Sequence, residues 1–580
     1  MAHPYHDPDY LFPRLEAAGY LAPEQTASLR AKLAIPRRRG QDLVQWIHSL
    51  KLPRRDDPLR PLEEADILAL VAGDRGWRFR RLDPLDLDME VVTRTLPASF
   101  AGRRLVLPVE WDGKTLEVAC YDPLDAELRQ DVERACKTAI RLSVAPRGDI
   151  EQIIREFFGF KKSIAAAQDL LQGPSVDISN LEQLIRLQGI EGAHSDKHIQ
   201  QAVDHLLQYA MEQRASDIHI EPKRNESVVR LRIDGVLHVV HRLPRVVHEA
   251  ICSRIKAISR LDIAEKRRPQ DGRLKIAWKD DEAEVRVSTV PVAFGEKMVL
   301  RLQSADILFR NLEELGFSPR DLETYTRFLQ HTYGIVLMTG PTGSGKSTTL
   351  YSTLRHLNSP EINIVTVEDP VEMIHEDFNQ IAVQPAVDVT FASILRNILR
   401  QDPDVIMIGE IRDLETARYA IQAALTGHLV FSTLHTNDAA SAVTRLMDLG
   451  LPSYLIASTL LGVVAQRLVR MICPRCREEL TVPADQLRAL SCEVPDDPVR
   501  ILRGKGCSYC RNTGYWGRIG IYEVLAVSDE IRKMIHDRAD EMGIKRQAMK
   551  EGMTPLRHDA CRKVLEGITT VEEVIRATAT

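Results

Sequence analysis

The chain has 580 residues, 44% of them hydrophobic and 27% charged, with a formal net charge of -5. That length predicts about three to five domains with apolar surface for several cores, and the near-balanced charge excludes the basic domain that nucleic-acid binding usually needs. The opening MAHPYHDPDYLFPRLEAAG lacks the basic start and apolar run of a secretory signal, and no run of about 18 apolar residues occurs, so neither export nor direct membrane insertion is expected.

Residues 1–60 read as a small helical segment with Pro-containing breaks at Ile35–Gly40 and Pro53–Asp57. Residues 62–160 read as a compact α/β unit. Leu105–Val109 and Thr115–Ala119 flank Trp111-Asp112-Gly113-Lys114, and Asp-Gly between two β-rich runs signals a hairpin. A helix at about Glu127–Thr138 and a strand at Ile140–Ala145 follow. Residues 161–195 look like a linker, and Ser195 resembles a helix N-cap. Beyond it, Ile199, Val203, Leu206, Leu207 and Ala210 recur at helical spacing, which predicts one buried face. Residues 196–305 form an expected α+β domain, with Asp234-Gly235 turning a second hairpin and a further strand pair around Asp280-Asp281. Over 310–580 the apolar runs Ile335–Met338, Ile364–Val367, Val405–Ile408 and Leu429–Phe431 alternate with helical stretches. That is the pattern of a mostly parallel sheet covered on both sides.

Gly340-Pro341-Thr342-Gly343-Ser344-Gly345-Lys346-Ser347, followed by Thr348, fits the phosphate-binding loop pattern between a strand and a helix. The glycines let the backbone turn its N–H groups inward, and the helix N-terminus adds positive potential. Lys346 is expected to reach the β- and γ-phosphates of ATP, and Ser347 to ligate Mg²⁺. Two later strands run into carboxylates, at Glu368 and at Glu410. Ligands bind outside the carboxyl ends of such strands, so Glu410 is placed to hold Mg²⁺ through water and Glu368 to orient the attacking water. His428 and His435 flank the strand Leu429–Phe431, and His435 is assigned to sensing the γ-phosphate.

Nine cysteines without an export signal point to a reducing compartment and no disulfide framework. Cys120, Cys136, Cys252, Cys492 and Cys561 read as ordinary thiols. The other four form Cys473-Pro-Arg-Cys476 and Cys507-Ser-Tyr-Cys510. Four such ligands favour tetrahedral Zn²⁺, although the gap between the pairs exceeds the usual ribbon spacing; a redox pair and no metal are the alternatives.

Together these residues resemble the type II secretion and type IV pilus assembly ATPases, the secretion ATPases of protein E type. GPTGSGKSTTLY (Gly340–Tyr351) looks like the family's Walker A, TVEDPVE (Thr366–Glu372) its Asp box, LRQDPDVIMIGEIRDLETA (Leu399–Ala417) its Walker B and TGHLVFSTLHTND (Thr426–Asp438) its His box. ASDIHIEP, RLRIDG and AEKRRPQDGR match upstream. The resemblance implies a RecA-like P-loop ATPase domain preceded by a PAS-like α+β domain and a smaller N-terminal α/β domain. It also implies a tetracysteine zinc element over 470–515 and a homohexamer whose PAS-like domain swings as ATP is hydrolysed. Arg230, Arg245, Arg396 and Arg400 are carried over as cations reaching the phosphates. The implied partners are inner-membrane platform proteins of a secretion or pilus machine. LLGVVAQRLVRMICPRC (Leu460–Cys476) looks more like a type II secretion motor than a pilus-extension motor. Residues 11–34 resemble a cyclic-di-GMP motif only loosely, because the expected Arg-Leu-Gly reads Arg14-Leu15-Glu16, so docking is the role expected of the N-terminal region.

Overall fold

The computed structural model describes all residues except 1–4, 6, 34–41, 57–60, 85–86, 137, 159–163, 165–197, 279–280, 304–309, 385–386, 491, 493, 495–497 and 580. The expected break at Ile35–Gly40, the cap at Ser195 and all of the expected linker but Ile164 lie outside the described residues. Two compact units divide the chain: Met1–Gly272 with Val287–Leu300, and Arg273–Arg286 with Arg301–Thr580.

In the first unit, helices Pro8–Ala17, Pro23–Lys32 and Leu43–Ser49 bury Leu11, Phe12, Leu15, Leu29 and Ile47 in one core with Ile67, Leu68, Leu107, Ala119 and Phe157. A three-stranded sheet follows, in the order β1 (Val106–Trp111), β2 (Thr115–Cys120), β3 (Ala139–Val144). The Asp112-Gly113 hairpin makes β1 and β2 antiparallel, whereas β3 returns parallel to β2 through the helix Ala126–Cys136. Residues 198–212 are helical and bury Ile199, Val203, Leu206, Leu207 and Ala210, the face that the spacing predicts. Strands β4 (Ala215–Pro222), β5 (Glu226–Ile233), β6 (Val236–Pro244), β7 (Gln270–Trp278), β8 (Asp281–Val292) and β9 (Gly295–Gln303) form a six-stranded sheet in the order β6-β5-β4-β9-β8-β7, of which Arg273–Arg286 and the residues from Arg301 on count with the second unit. Asp234 and Gly235 both take positive φ, +47° and +88°, as a two-residue hairpin turn requires.

The second unit is built on seven strands in the order β12-β11-β13-β14-β10-β15-β18: β10 (Gly334–Thr339), β11 (Ile364–Glu368), β12 (Asn379–Ala382), β13 (Val405–Ile408), β14 (Leu429–Leu434), β15 (Leu460–Ile472) and β18 (Tyr515–Ala526). All neighbours run parallel except β15 and β18. Successive residues face opposite sides of a strand. Thus Ile335, Leu337, Val365, Val367, Ile406, Ile408 and Val430 join one core cluster, while Val336, Met338, Ile364, Val405, Met407, Leu429 and Phe431 join another. This is why the runs are continuously apolar: both faces of the sheet are covered. The shared direction brings the carboxyl ends of β10, β11, β13 and β14 to one edge. Between β15 and β18 the chain leaves the sheet for a separate hairpin, β16 (Arg477–Val482) with β17 (Val499–Gly504).

One expectation is corrected. Cys492 and Cys561 are joined in a disulfide rather than being independent thiols. The helix Leu556–Leu565 packs beside the segment after Ala484–Arg488 and brings the two Cα atoms within 5.3 Å. At a sequence separation of 69, this pairing depends on tertiary packing that spacing does not reveal.

Candidate nucleotide site and tetracysteine centre

Strand β10 ends at Thr339, and helix Lys346–Leu357 begins directly after Gly345. Gly340, Gly343 and Gly345 hold φ of +147°, +80° and +91°. A Cβ on Gly340 would lie 2.5 Å from the Gln466 carbonyl oxygen, and one on Gly345 would lie 2.7 Å from Gln466 Nε2. Only glycine lets the loop pass this close to β15. Pro341, Thr342 and Gly343 are exposed, Ser347 and Thr348 are half-buried, and Ser344 is buried with no hydrogen-bond partner for its hydroxyl among the described residues. The first turn of a helix leaves N–H groups without intrahelical partners, and here that turn follows the loop directly, the backbone condition for gripping an anion.

Lys346 is 8% exposed, and its ammonium donates to the carbonyls of Gly340 at 2.6 Å and Pro341 at 3.2 Å. Burial lowers its pKa to about 8, with Glu410 opposing and Arg467 adding to that effect. Glu410 follows β13, where it pairs with Arg412 and lies 3.6 Å from His435 Nε2. Thr433 Oγ1 donates to the Gly409 carbonyl at 2.7 Å, and Ile411 N donates to the Thr433 carbonyl at 3.0 Å. These bonds fix the ends of β13 and β14 against each other. Thr339 and Thr436 are joined through their hydroxyls at 2.7 Å, which ties the end of β10 to the His435 loop.

Glu368 is 3% exposed and fully engaged. Its Oε1 accepts from Thr366 Oγ1 at 2.7 Å and Gln380 Nε2 at 3.3 Å, and its Oε2 accepts from Tyr351 Oη at 2.7 Å and the Glu372 amide at 3.3 Å. With the lone pairs of both oxygens occupied, Glu368 reaches a water only when one donor moves aside.

The arginines fall in different places. Arg230, on β5, donates to Glu221 at 2.6 Å. Burial pushes the Glu221 carboxyl up, but Arg230, Lys297 and Lys223 outweigh it and hold the group at about 2. Arg245 opens the helix Arg245–Ile258 and donates to the Arg224 carbonyl at 3.4 Å. Both belong to the first unit. Arg396 donates to Tyr419 Oη at 2.7 and 2.9 Å, and Arg400 to Asn397 Oδ1 at 2.5 Å; neither bonds to Lys346, Glu368, Glu410 or His435. Sequence reasoning missed Arg286. On the part of β8 that belongs to the second unit, it sits 3.2 Å from Glu372 and donates to the Val371 carbonyl. The alternation of the hairpin Gln270–Val292 gave no signal linking it to the strand that carries Glu368.

The four cysteine sulfurs of the separate hairpin lie within 4.8 Å of one another. Cys473 to Cys507 is 3.8 Å, while Cys476 and Cys507 are each 3.7 Å from Cys510. A tetrahedral Zn²⁺ with Zn–S of about 2.3 Å requires S···S of about 3.8 Å, so the residues present fit that ion. The amides of Gly506, Cys507 and Gly514 donate to Cys476 or Cys510 sulfur at 3.2–3.3 Å, which suits thiolates. The long gap between the two pairs is filled by the β16–β17 hairpin.

Residues 192–576 match the family Type II/IV secretion system protein, and residues 76–164 match the MshEN domain. The chain belongs to the type II/IV secretion system ATPase family. Within that family it is 41% identical to the type IV pilus assembly ATPase TfpB of Acinetobacter baylyi over 537 residues, 92% of each chain. It is 42% identical to the type II secretion system ATPase E of Vibrio cholerae over 491 residues, covering 84% of this chain and 97% of that one. It is 38% identical to the type IV pilus assembly ATPase PilB of Myxococcus xanthus over 523 residues, 89% of this chain and 92% of that one. This secretion ATPase therefore has relatives in both kinds of machine. No helix among its described residues is long and apolar enough to cross a membrane.

Proposed function

We propose that the chain is the ATP-hydrolysing motor of type II protein secretion: a homohexamer, peripheral to the cytoplasmic face of the inner membrane, that drives pseudopilus assembly through platform proteins. The observation that carries the enzymatic part is the gathering of Lys346, Glu410 and His435 at the carboxyl edge of one parallel sheet, with Glu368 ending the next strand. The secretion assignment is supported by relatives such as the Vibrio cholerae ATPase. Pilus extension is the second reading, favoured by the alignment with TfpB over 92% of both chains.

In this reading Gly340–Thr348 wraps the phosphates with backbone amides, and Lys346 leaves its two carbonyls for the β- and γ-oxygens. Ser347 and, through water, Glu410 would hold Mg²⁺, which when bound would supply charge neutralisation at the phosphates. Glu368 orients the attacking water once a donor to it shifts, and His435 reads the γ-phosphate. Arg230, Arg245, Arg396 and Arg400 complete the pocket as the ring closes, because a guanidinium is always charged and forks onto phosphate oxygens. Loss of the γ-phosphate removes those contacts and releases the closed state. Cys473, Cys476, Cys507 and Cys510 hold a structural zinc, and the N-terminal region docks on the platform.

Phosphate release by the isolated ring tests the enzymatic claim: Glu410→Gln should cut turnover by about 10²-fold or more while the particle stays hexameric by light scattering. Normal turnover in that variant contradicts the site. In the native host, loss of the gene should abolish secretion and spare surface pili; the reverse phenotype selects pilus extension.

A further inference from the structure

The segment Leu460–Cys476 carries a polar pair, Gln466-Arg467, in the middle of an apolar run. In the structure β15 lies directly beside β10, pairing Ala465 with Thr339 at the mouth of the phosphate loop. Gln466 is buried and accepts from Thr349 Oγ1 at 2.9 Å, which fixes β15 to the helix that follows the loop. Arg467 extends along the loop itself: its Nη1 would lie 3.0 Å from a Cβ on Gly340. Among the described residues its hydrogen bonds go to neutral acceptors, the Gln466 carbonyl at 3.1 Å, the Asn437 carbonyl at 2.9 Å and Asn437 Oδ1 at 3.4 Å. Glu523 and Asp438 act on it only through space, and burial lowers its pKa.

Those distant carboxylates do not offset the hydration that this half-buried guanidinium has lost, because burial is the larger effect. Lys346 is in the same position, resting on two carbonyls. Two such cations beside one loop repel each other. An anion entering between them satisfies both, and the fork of Arg467 suits phosphate oxygens. Arg467 approaches from the β15 side, whereas Glu368, Glu410 and His435 come from strands on the other side of β10. That side assigns it to holding the phosphate chain rather than to attack at the γ-phosphate.

We propose that Arg467 is a second cation of the nucleotide site that binds the phosphates of both ATP and ADP beside Lys346; the proposal rests on the reading of Gly340–Ser347 as that site. Calorimetric titration of the full chain with Mg-ATP and Mg-ADP tests it, together with phosphate release at saturating ATP. Arg467→Ala should weaken both nucleotides by about tenfold or more. Arg467→Lys should recover part of that loss, and saturated turnover should fall less than affinity does. Arg467→Gln keeps a donor to Asn437 without the charge and should behave as Arg467→Ala; it also replaces the alanine variant if that one melts early. Unchanged affinity for both nucleotides in the uncharged variants, or a loss confined to turnover, overturns the proposal. Failure of the underlying reading looks different: the wild-type chain, or Lys346→Ala alone, then shows no dependence of nucleotide binding on the loop.

Discussion

The phosphate loop and the tetracysteine centre are both tight clusters of polar groups in the second unit, and they are built on opposite plans. At the loop, cations rest on carbonyls that they can exchange: Lys346 on Gly340 and Pro341, Arg467 on Asn437. At the cysteines, four sulfurs lie within 4.8 Å of one another, three of the pairs at 3.7–3.8 Å, and backbone amides close around two of them. On the reading proposed above, the first site would accept a ligand that comes and goes, whereas four cysteines around a tetrahedral ion would leave no open position for substrate. On that reading a difference in exchangeability, not in polarity, separates the two clusters.

The largest effect that can break this comparison is at the loop. Lys346→Ala should abolish turnover, by at least about 10²-fold, with the circular dichroism spectrum unchanged; normal phosphate release would refute the exchange of carbonyl for phosphate. At the closed site, Cys473→Ser with Cys510→Ser should reduce metal content from about one zinc per chain to none and lower the melting temperature. ATP affinity should stay within about threefold, and a full loss of ATP binding would show that the two plans are one site. The pH dependence sharpens the contrast further. Burial holds Lys346 near pKa 8 against an ordinary value of 10.5. Phosphate favours the charged form and raises it again, so between those values the bound state carries the additional proton. ATP affinity should therefore fall as pH rises above about 8, approaching tenfold per unit, and be flat in this respect below it; titrations across that range in Lys346→Arg should lack the decline. The smallest effect is at Glu368. Tyr351→Phe removes one buried donor from that carboxylate and should cost about 1–3 kcal/mol in denaturant unfolding.

What the sequence discloses follows from what is local. The runs at Ile335, Ile364, Val405 and Leu429 announce buried parallel strands, because each is short, apolar and bounded by turns, and the glycine pattern at 340–345 needs no tertiary knowledge. The four cysteines declare themselves by pairing within each turn. By contrast, Leu460–Ile472 interrupts its apolar run with Gln466 and Arg467, so its place beside β10 is legible only once Thr349 and Gly345 are seen to fit against Gln466. The enclosure of Glu368 by Tyr351 and Gln380, the approach of Arg286 to Glu372 and the Cys492–Cys561 bond all join residues at distances set by packing rather than spacing.

The most direct test is an experimental structure of the chain with Mg²⁺ and a non-hydrolysable ATP analogue. The triphosphate should lie within Gly340–Ser347, with Lys346 Nζ moved from the Gly340 and Pro341 carbonyls onto phosphate oxygens and Glu410 facing the ion. A nucleotide bound elsewhere, with Lys346 still on those carbonyls, would contradict the account.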